Sequence, residues 1–176
     1  MKFLETKFKD VRFLELESFS DKRGSFMEVY SQEILSVLGD VIFIQDNESR
    51  SKFGTLRGLH FQKDPYAQSK LIRVSLGVIQ DVIIDLRKDS STYRAWESYE
   101  LSSDNNRILF IPKGFAHGFL VLSKDAIVNY KVDSSYKPNY ESGVLYNDPS
   151  INIKWDLKEE QILISEKDLS LPKIKL

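Results

Sequence analysis

A chain of 176 residues is long enough for one domain with a real core and too short for two comfortable ones. Its net charge of -1 offers no general basic field to nucleic acid or an anionic membrane, and no apolar run approaches the roughly 20 residues that span a bilayer. The lack of cysteine excludes disulfides, thiolate catalysis and zinc–cysteine sites, and the start Met1-Lys2-Phe3-Leu4-Glu5 has no signal-peptide core, so a cytoplasmic location is expected.

In chain order, residues 8–17 read as a strand. Asp21-Lys22-Arg23-Gly24 then makes a turn, followed by an aromatic and a carboxylate, Phe26 and Glu28. Residues 31–38 form the best helix signal, with Ser31 as N-cap and Gly39 just past the end. Strands are expected at 41–46, in the stretch 54–62, and at 71–75, where Gly77 ends the apolar run. Residues 78–86 are rich in β-branched side chains; Val82, Ile84 and Leu86 share one face, and Asp81, Ile83 and Asp85 the other. Further strands are expected at 95–101, 107–111, 118–122 and 126–132, and a short helix at 158–164. No repeat, linker or low-complexity stretch interrupts this order, so residues 1–176 read as one domain.

Many short strands with little helix indicate an all-β sandwich or barrel. Gln45, Arg57 and Asp81 fall among apolar neighbours, which suits a barrel with a wet, functional mouth better than a solid sandwich.

Five segments carry candidate chemistry. In residues 21–28, Arg23 suits a phosphate contact and Phe26 stacking on a base; a solvated hairpin turn is the other reading. In Leu56-Arg57-Gly58-Leu59-His60, Arg57 and His60 are three apart and would face opposite ways on an ideal strand, but Gly58 permits a bulge that re-aims one of them. Arginine's fork matches phosphate oxygens, and histidine suits a general base; a core histidine bonded to backbone is the other reading. In Phe115-Ala116-His117-Gly118-Phe119, small neighbours leave room for a ligand at His117 or for a purely structural close approach. Tyr130 is either core or a proton donor, and Asp168, in an exposed-looking polar run, is able to orient a histidine. The chain has two histidines and no H-x-H or H-x-x-x-H spacing, which argues against a catalytic metal.

Together, residues 21–28, Gln45-Asp46-Asn47, residues 54–62, Gln68-Ser69-Lys70-Leu71, residues 111–119, Tyr130-Lys131, Asn147-Asp148-Pro149 and residues 165–168 closely resemble the deoxythymidine-diphosphate-4-dehydrorhamnose 3,5-epimerase family in order and spacing. The resemblance implies a cupin-like jelly roll (a double-stranded β-helix). It implies a homodimer with exchanged strands, no metal and no organic cofactor. By resemblance His60 is the base, Asp168 its partner and Tyr130 the acid on the other side of the sugar; Lys70, which matches a residue around the sugar and diphosphate, is expected to stabilise the enolate oxygen, alone or with His117. Arg57 and His117 match residues around the sugar and diphosphate, and Asp81 lies close to them. Arg23, Phe26, Glu28, Gln45, Asn47 and Tyr136 resemble residues that hold the nucleotide. Asp64 and Asp156 stand where proline is usual, outside the acid–base set. The expected reaction is inversion at C3 and C5 of a nucleotide-linked 4-keto-6-deoxy sugar. The alternatives are a C3-only epimerase, an enzyme for another keto sugar such as a guanosine-linked heptose, or a sugar-binding jelly roll without catalysis.

Overall fold

Short runs of β-branched and aromatic residues, punctuated by glycine, asparagine and serine turns, produce an almost wholly antiparallel protein. The computed structural model describes residues 1–174. In chain order the elements are β1 (Lys2–Leu4), β2 (Arg12–Glu15), β3 (Phe19–Asp21), β4 (Gly24–Phe26), α1 (Gln32–Ser36), β5 (Gln45–Lys52), β6 (Leu56–Gln62), β7 (Lys70–Leu76), β8 (Val78–Asp85), β9 (Trp96–Ser102), β10 (Arg107–Ile111), β11 (Phe115–Val121), β12 (Asp125–Val132), β13 (Glu141–Gly143) and α2 (Glu166–Leu169).

Two sheets face each other as a jelly roll. The first has the order β1-β2-β10-β7-β12-β5, and the second β13-β6-β11-β8-β9. Strands β3 and β4 form a hairpin that belongs to neither. Between the sheets, Phe13, Ile72, Val74, Leu109 and Val128 meet Ile79, Ile83, Leu101, Phe119 and Val121. Each such fully buried aliphatic side chain contributes about 1.5–3 kcal/mol relative to exposure. The alternation expected along β8 is realised: Ile79 and Ile83 join this inner core, while Val82 and Ile84 join an outer one with Val144 and Ile151. The second sheet is therefore covered on both sides, and β8 and β11 are buried along almost their whole length, Gln80, Asp81, Asp85 and His117 included. On the outer face of the first sheet, Leu14, Leu71, Ile108 and Phe110 are covered by Ile34 and Leu38 from the α1 region.

The differences from expectation have local causes. Only 12–15 of the expected strand 8–17 pairs, because the chain turns at Phe8, where its carbonyl accepts from Val11 N at 3.2 Å. The strand expected at 41–46 instead begins at Gln45 and runs on through polar residues to Lys52. The helix expected at 31–38 is shorter, 32–36, and is capped by Ser31 Oγ, which accepts from Ile34 N. Residues 158–164 are one 3-10 turn, Glu159–Gln161, and then extended chain. Leu163 gives its backbone to the neighbouring strand instead of to a helix: its N–H donates to Gly54 O at 2.8 Å and its carbonyl accepts from Leu56 N at 2.9 Å.

Candidate active site

The site begins with a bulge. Between β6 and β11, His60 lies opposite His117 and Arg57 opposite Phe119, so three steps on β6 span two on β11. Gly58 supplies the extra residue with φ +125°, and a Cβ there would lie 2.5 Å from Gly118 Cα. The re-aiming that Gly58 permits is thus realised, and Arg57 and His60 line the same cavity. Arg57 is held there by donating from Nε to Ser51 Oγ at 3.0 Å.

The cavity has a volume of about 530 Å³ and opens between the two sheets. Lys70 and Tyr130 reach it from β7 and β12 of the first sheet, and His60 and His117 from β6 and β11 of the second. Each histidine is paired with its own aspartate. His60 Nε2 is 2.8 Å from Asp168 Oδ1, and His117 Nε2 is 2.8 Å from Asp81 Oδ2. A carboxylate only accepts, so Nε2 carries a hydrogen in both rings, and a neutral ring then keeps its lone pair on Nδ1. Asp168 is 4% exposed, and its second oxygen accepts from the Gly58 amide at 3.1 Å. Ser165 Oγ caps α2 by accepting from Asp168 N, which fixes the carboxylate's origin.

Charge in this cavity follows burial. Desolvation lowers the Lys70 ammonium to about 8, against the pull of Asp81 and Glu141. Desolvation also lowers His117, again against Asp81, and so keeps that ring neutral. Burial raises the Tyr130 phenol, with Arg57 opposing, so its hydroxyl stays protonated near neutrality and able to donate. At the rim, burial pushes the Glu141 carboxyl up, but hydrogen bonds from Lys167 and Tyr136 outweigh it and hold it below its ordinary value.

Of the residues singled out from the sequence, His60, Asp168, Lys70, Tyr130, Arg57 and His117 converge on the cavity, and Asp81 stands directly behind His117. Tyr136 reaches the rim through Glu141 and Lys167. The others do not meet the cavity within this chain. Phe26 is 65% exposed on the β3–β4 hairpin, and Arg23 pairs there with Asp21 at 2.7 Å. Glu28 lines a separate, smaller cavity with Leu16 and Phe19. Gln45 and Asn47 lie on the edge strand β5, bonded to each other at 2.7 Å. Sequence reasoning missed Glu48, Ser49, Arg50, Ser165 and Lys167, all in the cavity wall, and Glu141 beside it. Glu48, Ser49 and Arg50 sit in a polar run without apolar alternation, so no strand signal marked them. Among the described residues, no group of three or more His, Cys, Asp or Glu side chains is arranged to hold a metal ion, and no helix is long and apolar enough to cross a membrane.

Comparison with known proteins gives a consistent result. Residues 5–175 match the sequence profile of the dTDP-4-dehydrorhamnose 3,5-epimerase family. The curated dTDP-4-dehydrorhamnose 3,5-epimerase of Methanothermobacter thermautotrophicus is 48% identical over 95% of this chain and 91% of its own length. The crystal structure of dTDP-4-dehydrorhamnose 3,5-epimerase from Bacillus anthracis, with TDP and pyrophosphate bound, superposes with a TM-score of 0.93 at 51% identity, covering 98% of this chain and 99% of that one. The Legionella pneumophila dTDP-6-deoxy-D-glucose-3,5-epimerase, in complex with dTDP-4-keto-L-rhamnose, has a TM-score of 0.91 at 37% identity over 99% of both chains.

Proposed function

Because this chain belongs to the dTDP-4-dehydrorhamnose 3,5-epimerase family, we propose that it inverts C3 and C5 of dTDP-4-dehydro-6-deoxy-D-glucose to give dTDP-4-dehydro-L-rhamnose. The observation that carries this reading is that an imidazole and a phenol line one cavity from opposite sheets, with the half-buried Lys70 beside them. A 4-ketone makes the protons on C3 and C5 acidic, because the electron pair left behind spreads onto oxygen. His60 takes the proton on Nδ1, and Asp168 stabilises the imidazolium that results. The pair moves into the ring as an enolate, and Lys70 donates to the new oxyanion. At C5 Tyr130 then delivers a proton to the opposite face of the carbon, which inverts it. Proton transfers alone balance this reaction, with His60 giving its proton up to water and Tyr130 regaining one from it before the next turnover, and the substrate's own ketone supplies the activation. General acid–base catalysis of this kind typically adds about 10²–10⁴-fold, and a preorganised oxyanion donor about 3–4 kcal/mol.

The nucleotide half of the site is completed, in this reading, by a second copy of the chain. An isolated two-stranded hairpin is marginal in water, and β3–β4 exposes both Phe19 and Phe26. In a homodimer with exchanged strands, Arg23, Phe26 and Glu28 reach the neighbouring cavity, where Gln45, Asn47 and Tyr136 join them around the nucleotide.

The test is proton NMR in deuterated water with dTDP-4-keto-6-deoxyglucose. Deuterium entry and inversion at both C3 and C5 is the expected result. Exchange at C3 alone makes the protein a 3-epimerase, and no exchange overturns the dTDP-sugar reading and moves the same assay to guanosine- and cytidine-linked keto sugars, heptoses included.

A further inference from the structure

Asp81 is the one aspartate beside the cavity whose chemistry the proposed reaction does not use. It lies on the inner face of β8, with Phe119 and Tyr99 as its cross-strand neighbours, and is 0% exposed. One oxygen, Oδ2, is engaged by His117. The other, Oδ1, is buried and has no hydrogen-bond partner among the described residues. The nearby Tyr99 hydroxyl does not serve it, being engaged with Glu97 and Thr6. A buried carboxylate with one oxygen unmatched by any protein donor is costly unless a positive charge nearby compensates it.

We propose that Asp81 is a positioning residue, a buried counter-charge that keeps the Lys70 ammonium protonated and fixes His117 as an acceptor, leaving Lys70 as the donor to the enolate oxygen. The assignment deepens the epimerase reading and rests on it for the identity of the oxyanion. The other charged or titratable groups turned toward Lys70 are accounted for. Glu141 from β13 is shared between Lys167 and Tyr136, and Asp168 from α2 between His60 and the Gly58 amide. Arg57 and His60 from β6, His117 from β11, Tyr130 from β12, Arg50 from β5 and Lys167 from α2 add no negative charge at neutral pH, and Glu48 lies on the edge strand β5. With its Nε2 hydrogen committed to Asp81 and burial keeping the ring neutral, His117 has no hydrogen left to give an oxyanion. Desolvation and Asp81 act on Lys70 in opposite directions, and the balance leaves it near 8, still charged at neutral pH.

The experiment is a direct titration of Lys70 by NMR of protein labelled with carbon-13 at lysine Cε, without substrate, the signal being assigned by its loss in Lys70→Arg. In Asp81→Asn the amide oxygen still accepts from His117, so the charge is removed and the hydrogen bond kept. The expected result is a midpoint about one unit lower than wild type, a roughly ten-fold fall in the ratio of charged to neutral Lys70. The high-pH limb of turnover should move down with it. An unchanged midpoint overturns the proposal. Should Asp81→Asn not fold, nitrogen-15 spectra of wild-type His117 decide: a neutral ring protonated at Nε2 supports the assignment, and a charged ring or an Nδ1–H tautomer overturns it. A lowered Lys70 midpoint in a protein that exchanges no deuterium into the keto sugar would sustain the counter-charge while removing the epimerase reading.

Discussion

His60 and His117 stand directly opposite each other on β6 and β11, and each holds an aspartate oxygen at 2.8 Å through Nε2. Their surroundings differ. The His60 side chain is 28% exposed and its partner opposes a backbone amide, whereas His117 is 8% exposed and its partner is closed off entirely. Two copies of one dyad geometry thus suit two purposes: under the proposed reaction the open ring exchanges protons with the substrate and the closed ring only orients.

It follows that His60→Asn should lower turnover by about 10²–10⁴-fold and leave dTDP binding nearly unchanged. Deuterium uptake into the keto sugar measures the first and calorimetry the second. Near-normal uptake would remove His60 from the role of base.

Tyr130→Phe keeps the ring that packs against the inner core and deletes the hydroxyl. His60 still abstracts, so deuterium should continue to enter C3, while formation of the C5-inverted product falls by roughly 10²-fold or more. The two positions are resolved in one NMR time course, and equal loss at both would assign Tyr130 a structural role instead.

Gly58→Ala forces a side chain into a left-handed conformation and against Gly118 Cα and the His117 carbonyl. The strain should cost about 1–3 kcal/mol, which in a chain of this size lowers Tm by roughly 2–4 °C per kcal/mol. Because the bulge also aims His60, turnover should fall further than the loss of folded protein explains. A thermal melt and an exchange assay on the same sample separate the two effects.

At the far end of β8, Asp85 provides a pH test of the fold. Burial would raise its carboxyl, but hydrogen bonds from Arg87, Ser90 and Thr92 overcome this and hold it well below the usual carboxylate range. A folded value below the unfolded one stabilises the protein above the unfolded pKa of about 3.9, and that contribution is lost as pH falls through the folded value. Asp85→Asn should therefore cost about 3–5 kcal/mol at neutral pH, with the gap to wild type closing below about pH 4. Urea titrations across pH 3–7 measure it, and a constant gap would sink the idea.

Much of this was legible in the sequence where one physical rule dominated. Alternation along β8 predicted which side chains share a face, and Ser31 marked the start of α1. Gly58 announced the bulge before its register was known. What was hidden depends on contacts between distant parts of the chain. The polar run 45–52 becomes a strand because β12 offers it a partner along its whole length, and nothing in its own pattern says so. Residues 162–164 are extended because the start of β6 needs backbone partners there. Asp168 looked solvated in its local sequence; it is buried because a glycine amide and a histidine 108 residues away take up its oxygens.

That last contact gives catalysis a breaking point of its own. Half of the His60–Asp168 dyad rides on α2, four residues long and far too short to be helical alone, with Leu169 half exposed. Neither sheet takes a strand from residues 165–171. A sub-global opening that frees residues 165–171 would silence the protein while its barrel stays intact. Activity should then fade in mild urea before the strand signal in circular dichroism changes, and return on dilution.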